Sequence, residues 1–198
     1  MNEIQEQVWE NPATMSNSYG FCEKEETGDT YRSVCELIRL LCDVVSKNGT
    51  LLLTVGPKGD GSIPQRQQER LIAMGDWLKV NGEAIYGTRP WVVFGEGEGE
   101  PAPARRHSVP VRPKEVRYTQ KEKILYALSL NKPVMPLVLS STKGYDQSDI
   151  KNITLLGSKQ KIEWHVTGKG ISIDGPAEMY GSHVWIFKIE RNIVDQPK

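Results

Sequence analysis

The sequence predicts an α/β fold followed by an all-β one: a segment of an incomplete (β/α)8-like barrel, then an antiparallel β-sandwich. Three observations predict it. Helical apolar spacing, a continuous apolar run and a second helical pattern follow one another between Thr30 and Asn81. The stretch "GEGEGEPAPARRHSVPVRP", Gly95 to Pro113, then has the Gly, Pro and charge content of a linker. Beyond it, short apolar segments alternate with turn residues at sandwich-like intervals. The parts are residues 1–93 for the barrel segment, 94–113 for the linker and 114–198 for the sandwich.

The elements follow in order. In "TYRSVCELIRLLCDVVS", Tyr31, Val34, Cys35, Ile38, Leu41, Cys42 and Val45 fall at helical spacing, with Asp29 or Thr30 as N-cap. Asn48 and Gly49 are left-handed residues expected just past the helix end. The run Leu51 to Val55 reads as a strand buried on both faces, which needs parallel neighbours. Pro64 opens a second helix whose inward stripe is Leu71, Met74, Gly75 and Leu78, ending at Asn81 and Gly82. Helix, buried strand, helix is a piece of a βα-repeating fold; a (β/α)8 barrel takes ~250 residues, so one repeat cannot stand alone. The sandwich strands are "EVRYT", "KILYALSL", "VMPLVLS", "DIKNITLLG", "KIEWHVTG", "GISIDG" and "HVWIFKIE".

Composition narrows the function. Lys plus Arg number 25 and Asp plus Glu number 25, so no net field favours nucleic acid or an anionic membrane. No apolar run approaches the ~20 residues of a membrane span, and the acidic N-terminus has no signal-peptide h-region. Cys22, Cys35 and Cys42 have no zinc-type spacing and read as core thiols. The turn "GPKGDGS" is not a phosphate loop, because Ser62 stands where such a loop needs lysine. Neither metal nor cofactor is implied. His107, His165 and His183 are scattered in the linker and sandwich and read as surface or strand histidines. Trp164 and Trp185 read as sandwich core.

The ordered motifs "VWENPATMSNSYGF", "LLLTVGPKGDGSIPQRQQERLIAMGDWL", "NGEAIYGTRPW" and "VRYTQKEKILYALSL" resemble the C-terminal half of glycoside hydrolase family 29, the α-L-fucosidases. The resemblance covers nearly the whole chain. It implies a fragment holding the end of a catalytic barrel plus the C-terminal sandwich of an exo-acting, retaining enzyme of fucosylated glycans. The family is commonly secreted, periplasmic or lysosomal.

In such an enzyme one carboxylate attacks the anomeric carbon and a second carboxyl protonates the leaving oxygen, the two ~5 Å apart. No residue of this chain matches the family's nucleophile aspartate. Glu10 matches its "WE" glutamate, acid/base or sugar-contacting, and the alternative for it is an exposed acid near the terminus. Trp9 is expected to wall the pocket and raise that glutamate's pKa. Tyr19, standing where the family shows tryptophan, is expected to pack on the sugar's apolar face, or else to be core with Phe21. Thr54 replaces a family asparagine, and Glu83 is read as fixing a barrel loop. The competing functional reading is a non-catalytic sandwich that binds carbohydrate or a partner beside a vestigial barrel remnant.

Overall fold

The computed structural model describes residues 3–28, 30–97, 114–179 and 181–192. Strand β1 (Trp9–Thr14) leads through a loop to the short helix α1 (Glu23–Thr27), then to α2 (Val34–Ser46), β2 (Gly49–Thr54) and α3 (Gln65–Asn81). A 3-10 turn over Gly82–Ala84 passes the chain to β3 (Arg89–Glu96). The remaining strands are β4 (Val116–Lys121), β5 (Ile124–Ser129), β6 (Leu137–Leu139), β7 (Ile150–Leu155), β8 (Glu163–Thr167), β9 (Gly170–Gly175) and β10 (Trp185–Arg191).

One parallel neighbour of β2 lies inside the chain. β1 pairs with it in parallel from Trp9 opposite Gly49 to Thr14 opposite Thr54. The motif around Glu10 is thus itself a strand. Its "WENPAT" pattern carries a proline and little β-branching, so propensity does not announce it. α2 packs on the face of this pair that carries Gly49, where a Cβ would meet the Trp9 ring at 2.7 Å and Val44 Cγ1 at 2.7 Å. Gly49 is required for close packing rather than for a left-handed turn. Asn48 supplies the turn, at φ 70°.

α2 starts three to four residues later than the sequence reading places it. Ser33 is the N-cap, its hydroxyl accepting from Glu36 N–H at 3.2 Å while its own N–H donates to Glu36 at 2.8 Å. This reciprocal box outcompetes Thr30 because it satisfies two backbone groups at once. In α3 the buried stripe is Gln67, Met74, Trp77 and Asn81, and Leu71 is exposed. The helix is rotated so that its large indole, rather than Leu71, reaches the sandwich.

The five-stranded antiparallel sheet has the order β3-β4-β5-β10-β7, and the three-stranded one has the order β6-β9-β8. Between them lies a core that includes Tyr118, Leu125, Leu139, Ile153, Ile171 and Phe187. Trp164 and Trp185 pack against that core. The other face of the five-stranded sheet is covered too. Tyr126, Leu128 and Ile186 join Leu37, Ile38, Met74 and Trp77 of the helices in a second core. The central strand β5 therefore reads as a continuous apolar run, because both its faces are buried.

β3 runs across residue 93, where the sequence reading ends the barrel segment. Its pairing with β4 makes it the first strand of the sandwich sheet, so Arg89–Glu96 belongs with that sheet. Residues 98–113 of the expected linker, His107 and Asp29 lie outside the described residues.

Candidate active site

Strand alternation sorts the candidate residues. Trp9, Asn11 and Ala13 share a face with Gly49, Leu51 and Leu53 under α2; Glu10, Pro12 and Thr14 share the other with Thr50, Leu52 and Thr54. Trp9 is fixed on the helix side, its Nε1 donating to Lys47 O at 3.0 Å. Trp9 and Glu10 are therefore not brought together, and the expected indole wall beside Glu10 does not form. Consecutive strand residues point to opposite faces, which a reading of adjacent letters overlooks.

Glu10 is exposed on a face that no described element covers, as is Leu52 at 51% exposure. The expectation that β2 is buried on both faces is thus met on one face only. Thr54 joins Glu10 on the open face.

Along the strand Glu10 sits opposite Thr50, four residues short of the C-terminal end. At ~3.3 Å per residue this is roughly 13 Å below the loops. Tyr19 lies beyond that end and is 65% exposed, so it is not core. Its loop is located by Gly56, which follows β2. A Cβ there would meet Gly20 C at 2.6 Å and Phe21 N at 2.7 Å, so the two loops touch backbone to backbone. Only glycine permits that contact.

A buried relay holds the loops from behind. Gly56 N–H donates to Gln67 Oε1 at 2.9 Å, Gln67 Nε2 donates to Tyr31 Oη at 3.0 Å, and Tyr31 Oη donates to Glu26 at 2.5 Å. Arg66 and Arg70 lie 4.7 and 4.9 Å from the centre of the Tyr31 ring. Burial, with the hydrogen bond to Glu26, pushes the Tyr31 phenol up. Ser18 of the Tyr19 loop donates to the buried Glu25 at 3.0 Å, and Arg66 bonds the carbonyls of Glu25, Glu26 and Gly28. Sequence reading missed this cluster because glutamine and arginine at helical spacing look solvated. The one available signal was Gln67 falling on the stripe that also holds Met74.

Asp60 accepts from Ser62 N–H at 2.9 Å and from Ser62 Oγ at 2.6 Å, bonds that hold its carboxyl below the usual range. The "KGDGS" stretch is a self-closed turn. Glu83 accepts from Lys188 of β10 at 3.1 Å, so it fixes the 3-10 turn to the sandwich. His165 stands on β8, 3.3 Å from Asp174. Among the described residues no group of three or more His, Cys, Asp or Glu could hold a metal ion, and no helix is long and apolar enough to cross a membrane.

Comparison with known proteins accounts for this arrangement. The family model described as alpha-L-fucosidase matches residues 1–83, and that of the alpha-L-fucosidase C-terminal domain matches residues 111–190. The chain belongs to the α-L-fucosidase family. Among its relatives, an α-L-fucosidase of Branchiostoma floridae is 35% identical over 176 residues, covering 87% of this chain and 35% of the relative. The plasma α-L-fucosidase of Homo sapiens is 36% identical, with 85% of this chain and 33% of the relative covered. The chain thus spans about a third of these fucosidases' length. A Thermotoga maritima α-fucosidase in complex with fucose superposes with a TM-score of 0.76 at 28% identity, over 94% of this chain and 40% of that one. An α-L-fucosynthase of the same organism, bound to a fucose disaccharide azide, gives 0.76 at 29%, over 93% and 39%.

Proposed function

We propose that this chain is the C-terminal part of an exo-α-L-fucosidase that releases terminal fucose from glycans or glycoconjugates by double displacement with retention. The observation that carries the reading is the position of Glu10, on the open face of a parallel strand pair whose other face is sealed by α2. In a closed barrel the open face is the interior.

The chemistry assigns Glu10 the proton work. An aspartate from the remainder of the barrel attacks the anomeric carbon and forms a glycosyl ester, while the Glu10 carboxyl gives its proton to the departing oxygen. The Glu10 carboxylate then takes a proton from the water that breaks the ester. No cofactor enters, since the two steps need only carboxyl groups and an enclosed pocket. Tyr19, at the rim, is then placed to touch the glycan beyond the fucose, while Gly56 and the Gln67 relay hold that rim in shape.

The test is hydrolysis of 4-nitrophenyl α-L-fucoside by the 198-residue chain and by a chain completed with the rest of the barrel. The completed protein is expected to turn over, and the 198 residues alone are not, because a lone carboxylate cannot form and resolve the ester. Turnover by the short chain that Glu10→Gln abolishes, or none by the completed one, overturns the reading.

A further inference from the structure

The chain contains two Asn-X-Ser/Thr triplets in which X is not proline, the acceptor pattern for N-linked glycans: Asn48-Gly49-Thr50 and Asn152-Ile153-Thr154. The fold treats them oppositely. Asn48 forms the left-handed turn between α2 and β2, at φ 70°, and its Nδ2 donates to Gln5 O at 3.0 Å and to Glu6 O at 3.3 Å. Both amide hydrogens are engaged in holding the segment that precedes β1. A sugar on that nitrogen would replace one of them and crowd a half-buried turn.

Asn152 stands within β7, the strand at one edge of the five-stranded sheet. Strand alternation sends Ile153, 1% exposed, into the sandwich core and leaves Asn152 and Thr154 together on the opposite face. Asn152 is exposed, and none of the described residues hydrogen-bonds its carboxamide. Opposite it on β10 is Glu190, whose carboxylate lies 3.9 Å from Lys151 Nζ, with side-chain exposures of 36% and 70%. The surroundings are polar and open, so a glycan attached here displaces no packing. The outer edge of β7 pairs with no described strand. Such an edge invites pairing with another chain unless charge, proline or cover blocks it, and β7 has no proline and one charged residue, Lys151.

We infer that Asn152 is an acceptor for an N-linked glycan, and that this glycan covers the free edge of the larger sheet. The donor is a lipid-diphosphate-linked oligosaccharide, presented by a transferase in the lumen of a secretory compartment. Asn152 Nδ2 forms the bond to the anomeric carbon, and the bond from that carbon to the diphosphate oxygen breaks. The lipid diphosphate leaves, and the amide proton passes to a base of the transferase. Thr154 supplies the hydroxyl that the transferase reads two residues on. On the nascent chain both triplets are within reach of the transferase, but only a glycan at Asn152 is compatible with the folded one. The bulky, solvated oligosaccharide then lies beside the β7 edge and obstructs pairing there. The inference needs passage through such a compartment and does not rest on the fucosidase reading.

The test uses the 198-residue chain, led by a cleavable signal peptide and produced in cultured mammalian cells. Soluble chain whose signal peptide has been removed is treated with peptide N-glycosidase in heavy-oxygen water, which converts each glycosylated asparagine to a labelled aspartate, and its peptides are read by mass spectrometry. Label is expected at position 152 and not at position 48. Asn152→Gln and Thr154→Ala should each abolish it, and Thr154→Ser should keep it. On warming at equal concentration, Asn152→Gln should aggregate several-fold faster than the glycosylated parent. An unlabelled Asn152, equal label at Asn48, label surviving Thr154→Ala, or equal aggregation overturns the inference.

Discussion

Arg117 Nε donates to Asp43 Oδ1 at 2.8 Å, joining β4 of the sandwich to α2, the helix that seals the barrel segment. Both side chains are largely buried, at 5% and 13% exposure. Asp43 also accepts from Lys47 at 2.7 Å, and Arg117 also bonds Glu115. The two cations sit over the Phe94 ring, at 4.8 Å for Lys47 and 5.3 Å for Arg117. The cluster balances two carboxylates against two cations, so deleting one member strands a buried charge.

Asp43→Ala is therefore expected to destabilise the chain by ~3 kcal/mol in denaturant unfolding. The double variant Asp43→Ala/Arg117→Met should cost less than the sum of the single changes by about 1–3 kcal/mol. Additive costs would show that the pair does not couple helix and sandwich.

Gly56→Ala forces a methyl against the backbone of Gly20 and Phe21, where no side chain can turn aside. A loss of ~1–3 kcal/mol is expected, seen as a lowered thermal midpoint. In the completed enzyme the displaced rim should raise KM more than it lowers kcat.

Gln67→Leu keeps the volume but leaves the Gly56 N–H and the Tyr31 hydroxyl without their amide partner. The orphaned Gly56 N–H costs ~1–3 kcal/mol, while the Tyr31 hydroxyl keeps its bond to Glu26. Hydrogen exchange reads the effect directly: the Gly56 amide should lose protection while the α3 amides keep theirs. Unchanged protection would place the relay outside the loop's support.

The Tyr126 phenol, buried between sheet and helices and near Glu83, is pushed up to about 12 from its ordinary 10.0. A raised folded-state value means that the native state keeps the proton after the unfolded chain has lost it. The associated stability is complete below pH about 10 and is lost as pH rises towards about 12. Unfolding measured across that window should show a shallower decline in Tyr126→Phe than in the parent chain.

In the completed enzyme, Glu10→Gln should slow fucosides with poor leaving groups by ~10²–10⁴-fold and activated aryl fucosides far less, because only the former need a proton on the departing oxygen. Azide should restore turnover of the activated substrate by attacking the ester without a general base. A uniform loss with no rescue would make Glu10 a sugar-positioning group.

The two-part architecture, the α2–β2–α3 order and seven of the sandwich strands were legible in the residues, because these rest on local periodicity and turn residues. The sequence also carried the family resemblance and singled out Glu10. Tertiary structure alone decided the rest. β1 is a strand because β2, well along the chain, bonds its backbone, not because its own residues favour extension; the Trp91–Phe94 run of β3 does favour extension, but only pairing with β4 assigns it to the sandwich sheet. Trp9 and Glu10 are adjacent letters on opposite faces, since the pleat of a strand turns each side chain away from the last. Gln67, Tyr31 and Gly56 form a relay only because α3 folds back under the loop after β2. Burial of polar groups is decided by what packs over them, and that information lies in residues far apart in the chain, 107 positions between Trp77 and Val184 and 148 between Cys35 and His183.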